Sequence, residues 1–159
     1  MATLSVTHVE SLILNGSQHG GTNIFTIDSI TQVMKKIVTC PGGSDTTIAT
    51  FGSTTHAGDG DLDIQSAKYV RVTNLDSTNS VNLSVQLDSG EDDSAADASA
   101  TSLLAAGQSF VLGTPHESFH VDDDAASIVT ALTDVESILI DPGANSVDLE
   151  IFVASATTA

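Results

Sequence analysis

The chain has no tryptophan, a single tyrosine (Tyr69) and five phenylalanines among its 159 residues. That scarcity leaves few of the aromatic platforms on which sugars and single-stranded bases commonly stack. Cysteine occurs once, as Cys40, so no disulfide can form within the chain, and at this length none is needed to stabilise a core. Cations are sparse as well: Lys35, Lys36, Lys68 and Arg71 stand against 21 acids, for a formal net charge of −17. A phosphate backbone or an anionic lipid surface would repel such a chain, so no nucleic acid and no membrane is expected as a partner. No apolar run approaches the ~18 residues of a membrane span. The opening MATLSVTHVE has neither a basic leader nor an apolar stretch of signal-peptide length, and the expectation is a protein made in a cytoplasm with no visible address.

What is present is strand pattern. Apolar residues make up 40% of the chain, enough for one domain spanning residues 1–159. In VNLSVQLD (81–88), Val81, Leu83, Val85 and Leu87 share one face while Asn82, Ser84, Gln86 and Asp88 share the other. KYVRVTNL (68–75) precedes it across a linker of turn formers, and the two read as a β-hairpin. VESILID (135–141) and SVDLEIFVA (146–154), joined by Pro142-Gly143-Ala144-Asn145, read as a second. NSVNLSVQL (79–87) resembles NSVDLEIFV (145–153), and VESLILN (9–15) resembles VESILID, as similar solutions to one packing problem. Further strands are expected at 3–14, 22–28, 32–40, 46–52 and 108–113, and residues 124–133 have room for one or two helical turns. About eight short strands at even spacing predict an all-β fold: an antiparallel β-sandwich, jelly-roll-like, with long acidic loops at 52–63 and 88–100. Residues 1–20 are either the first strand or an extended arm that reaches a neighbour.

Two stretches suggest metal chemistry. HESFH fits H-E-x-x-H, with His116, Glu117 and His120 in the required places, but two histidines four apart share a face only on a helix. Pro115 in front, three aspartates behind and the β-like QSFVLG upstream favour an extended path, in which Phe119 and Val121 point into the core and His116 and His120 point out. Asp59, Asp61 and Asp63 follow the D-x-D-x-D opening of a calcium loop, yet Ile64 and Val70 occupy the positions where an EF-hand needs glycine and a bidentate acid. They remain weak metal candidates, and a solvated turn is the preferred reading. GGSDTT (42–47) lacks the lysine of a phosphate loop, and Cys40 lies in no reactive motif. No catalytic set and no cofactor is therefore expected.

YVRVTNLDSTNSVNLSVQL, the acidic loop, LLAAGQSFVLG and VESILIDPGANSVDLEIFVAS together resemble small virion structural proteins of tailed, marine bacteriophages, over residues 66–155. The resemblance implies a non-enzymatic capsid decoration or cement protein on the virion exterior. Its partners would be the major capsid protein and itself, as a homo-oligomer such as a trimer. A neck, tail or fibre-attachment subunit is the alternative within the class, and a calcium-dependent adhesion or carbohydrate-binding module the alternative outside it.

Overall fold

A computed structural model describes residues 2–52, 62–88, 98–121 and 131–156. Among them there are twelve strands and no helix: β1 (Ala2–Val9), β2 (Ile13–Leu14), β3 (Ser17–Gln18), β4 (Thr22–Cys40), β5 (Thr46–Gly52), β6 (Leu62–Asp63), β7 (Ala67–Asn74), β8 (Val81–Asp88), β9 (Ala98–Leu104), β10 (Ser109–Leu112), β11 (Asp134–Asp141) and β12 (Val147–Ala156). Residues 124–130 of the expected helical turns lie outside the described residues.

The pairing is that of a long double strand rolled up. β4 pairs with β12, β5 with β11, β7 with β10 and β8 with β9, all antiparallel and nested in sequence. Rolling adds β12 to β7 and β11 to β8, giving one sheet in the order β1-β4-β12-β7-β10 and a second in the order β6-β5-β11-β8-β9. This is jelly-roll topology, as the sequence suggested. The alternation that predicted the strands also fills the core: Val81, Leu83, Val85 and Leu87 from β8 meet Val147, Leu149, Ile151 and Val153 from β12, with Val70, Val72, Ile138 and Ile140 between them.

Both expected hairpins are corrected. β7 and β8 lie in opposite sheets, as do β11 and β12, so each linker is a corner that carries the chain across the sandwich. The reason is visible at Asn74. It is fully buried, and its Nδ2 donates to the carbonyls of Asn79 (2.9 Å) and Leu104 (3.3 Å), fixing the chain as it leaves one sheet for the other. Alternation demands that each strand bury one face, and two strands can satisfy that by facing each other as well as by lying side by side. The corners β4–β5, β7–β8 and β11–β12 gather at one end of the sandwich, where Gly43 N donates to Gly143 O (2.6 Å) and Asn145 Nδ2 to Asn79 Oδ1 (3.1 Å). Gly42 is required there, because a Cβ would stand 2.4 Å from the Ala144 carbonyl oxygen. The strand ends bounding residues 53–61, 89–97 and 122–130 lie at the opposite end.

Two further differences concern single strands. β9 begins at Ala98, inside the expected acidic loop; its small Ala, Ser and Thr residues carry no strong alternation, yet they pair with β8 over seven positions. The segments expected at 22–28 and 32–40 are one strand of 19 residues, bent where Ser29 adopts φ 63°. Bulges in the β1 and β12 ladders meet this bend, with Ala2 and Ala156 pairing to Ile30 from opposite sides. An extra residue in one strand bends it, and here the bend divides β4 into a half that belongs to the sandwich and a half that leaves it.

Candidate functional site

The half that leaves is the arm. β1 and the first part of β4 form a long hairpin, closed at its tip by β2 and β3 around Asn15 (φ 51°) and Gly16 (φ 79°). Positive φ at both turn residues is what a tight hairpin requires, and Asn-Gly supplies it at low cost. Gly20 is packed so closely on Glu10 that a Cβ would fall 1.9 Å from the Glu10 carbonyl oxygen. Within residues 1–20, β1 covers Ala2–Val9, and the chain runs on into the hairpin tip of β2 and β3.

At its root the arm folds onto the outer face of the β1-β4-β12-β7-β10 sheet. Leu4, Val6, Ile27 and Phe152 pack around buried Ile30, Tyr69, Ala154 and Ala156, a second apolar cluster separate from the main core. Ala154, which shares the outward face of β12 with Phe152 and Glu150, is buried for this reason. Aromatic contacts run through the cluster: His8 stacks on Phe25 (6.0 Å), Phe25 meets Tyr69 (6.5 Å), and Tyr69 meets Phe152 edge-on (6.1 Å).

Beyond the root the sheet face is open. The ladder register places Lys35, Phe152, Arg71 and Val111 in one row across β4, β12, β7 and β10, and Ile37, Glu150, Thr73 and Ser109 in the next. Glu150 is nearly buried and bridges Lys35 (3.1 Å) and Arg71, while the Arg71 guanidinium lies 5.7 Å from the Phe152 ring centroid. Arg71 Nε is buried with no hydrogen-bond partner among the described residues. A groove of about 450 Å³ runs between β1 and this row, and a second of about 550 Å³ opens on the same face beside Ile37, Leu75 and Asp148. All four cations of the chain lie on β4 and β7, strands of this one sheet. The face thus presents apolar, aromatic and charged groups in adjacent rows.

The residues singled out in the sequence lie elsewhere. HESFH is a turn, with Glu117 at φ 45°. Asp134 Oδ1 holds it, accepting from Glu117 N (2.7 Å) and lying 2.8 Å from His116 Nδ1, and Val135 N donates to Pro115 O (2.9 Å). His116 is half-buried against Asp134 and His120 is exposed, so the two do not share a helical face. The left-handed residue also resets the alternation: Phe119 packs on the core as expected, whereas Val121, expected inside, is 42% exposed. Asp59 and Asp61 lie outside the described residues. Asp63 caps a turn, its Oδ1 accepting from Gln65 N (3.0 Å) and Ser66 N (3.3 Å) and its Oδ2 from Ser66 Oγ (2.8 Å). Among the described residues no group of three or more His, Cys, Asp or Glu is placed to hold a metal ion. Cys40 is fully buried, and desolvation pushes its thiol pKa up. The extent of the arm was missed, although two signals marked it: Asn15-Gly16 between β-forming runs, and a single acid, Glu10, in the first 27 residues.

No protein-family model and no curated protein matches the sequence. Among solved structures, the chain is similar to one from Bacillus endospore appendages, described as a novel family of disulfide-linked pili, with 13% identity and a TM-score of 0.38 over 79% of this chain and 89% of that one.

Proposed function

We propose that this chain is a non-enzymatic structural subunit that docks through the outer face of its arm-bearing sheet. The observation that carries the reading is that face: ordered rows of apolar and cationic side chains, in a chain of net charge −17, next to an arm whose tip has no core of its own. Lys35 and Arg71, set on an otherwise acidic body, help to orient an encounter, while apolar neighbours supply the contact area.

Within this class, the resemblance to virion proteins favours a decoration or cement protein on the outside of a phage head, bound to the major capsid protein and to its own copies. Many small contacts repeated by symmetry strengthen a shell without any single strong site. A neck, tail or fibre subunit is the second reading. It is favoured by the arm, because an arm that seats on a different patch of its neighbour generates rings or open fibres as readily as a closed shell lattice.

Electron microscopy of the native particle with labelled antibody tests both. Label in symmetry-defined number over the head supports the decoration protein; label confined to the tail, portal or a fibre overturns it in favour of the second reading. Purified protein that turns over a substrate with Lys35, Arg71 and Glu150 required would overturn the structural class altogether.

A further inference from the structure

We propose that the arm tip, residues 9–24, seats on the outer face of the β1-β4-β12-β7-β10 sheet of a second copy of this chain, along Val33, Ile37, Leu75 and Val111. The proposal rests on the structural-subunit reading and names the partner of that same face.

From residue 7 to residue 26 every side chain is exposed, with only Gly20 half-covered. Five large aliphatics stand among them: Val9, Leu12, Ile13, Leu14 and Ile24, with Ile13 at 72%. A two-stranded hairpin without a third element is marginal in water, and so much exposed aliphatic surface on one projection marks an interface. On the receiving face Val33, Leu75 and Val111 are also exposed, and Ile37 is at 63%.

The occupant is a second copy on grounds of charge. Residues 1–27 hold one acid, Glu10, and no cation, so the arm is the part of this acidic chain that meets least repulsion from another copy. The receiving face carries Lys35 and Arg71 in one row, and Lys35 is well exposed beside Ile37. Glu10 and the backbone carbonyls of the tip can accept from Lys35, whose exposed ammonium has donors to spare beyond its bridge to Glu150. Because the arm and the face are different patches, the contact is heterologous: each copy gives one arm and receives one.

That asymmetry makes the test decisive. Ile13→Asp removes the donor and leaves the acceptor; Ile37→Asp does the reverse. Both positions are exposed, and circular dichroism should show both variants folded. In sedimentation velocity the wild-type chain should associate, each variant alone should weaken association at least ~30-fold, the loss of one interface anchor, and a mixture of the two should form 1:1 dimers and nothing larger. Variants that associate like wild type would overturn the arm-in-face contact while leaving the structural reading intact. A mixture that stays monomeric would overturn it, and an Ile37→Asp variant that associates like wild type while Ile13→Asp does not would overturn it in favour of an arm-to-arm contact. A wild-type chain that is monomeric at all concentrations would overturn self-docking, and particle labelling then decides the structural reading separately.

Discussion

Asp76 Oδ1 accepts hydrogen bonds from the backbone N–H groups of Thr78 (2.7 Å) and Asn79 (2.7 Å) at the corner between β7 and β8. The Asn79 donor, and then that of Thr78, lower its pKa to about 2. A depressed carboxylate stabilises the fold above its unfolded pKa of about 4 and loses that contribution as pH falls through about 2. Asp76→Asn should therefore flatten the acid limb of a urea-midpoint curve between about pH 4 and 2; an unchanged limb would show that the corner does not depend on the charge. Cys40 has the opposite sign. Its raised pKa favours the neutral thiol, so its contribution is present below the unfolded pKa and fades as pH rises through the folded one. In native protein at pH 8 the thiol should resist a disulfide reagent and react only as fast as the chain unfolds; rapid labelling would contradict its burial. Single residues also mark where sequence reasoning failed. Alternation placed Phe119 correctly and Val121 wrongly, because Glu117 adopts a left-handed conformation that no side-chain pattern announces.

Most strands were legible in the sequence, and their partners were not. Val81, Leu83, Val85 and Leu87 announce a strand with one buried face, but burial against a facing sheet and burial beside a neighbour leave the same trace. The deciding residue was Asn74, which looks like an ordinary turn former and is a fully buried bracket between β7, the corner and β9. Asn74→Ala should cost about 1–3 kcal/mol in denaturant titration, the range for stranding buried acceptors; the exposed Asn82→Ala should cost much less. The arm behaves as a separate element. Gly16→Val, at φ 79°, should disorder the tip without lowering the melting temperature of the sandwich by more than ~2 °C. A larger drop would mean that the tip is packed on the body. The binding face could not be read in advance, because Lys35, Arg71, Phe152 and Val111 come from four strands that only the ladder register aligns.

At the scale of the whole molecule the net charge of −17 opposes every contact between copies. Self-association should therefore strengthen as salt rises from about 0.05 to 0.5 M, where the screening length falls to a few ångströms; weakening with salt would show that the Lys35 and Arg71 contacts outweigh the general repulsion. Ala2 and Ala156 flank Ile30, one on each side of the bend from which the arm departs. Two strand spacings separate them, about 10 Å. The described chain is therefore nearly a closed loop, and a bridge of a few residues at this seam would allow it to be cut open at another corner and still fold. A group fused directly before Ala2 or directly after Ala156 would emerge at the same point, beside the arm's root. Blocking of assembly by such groups should depend on their bulk, whichever side of the seam carries them.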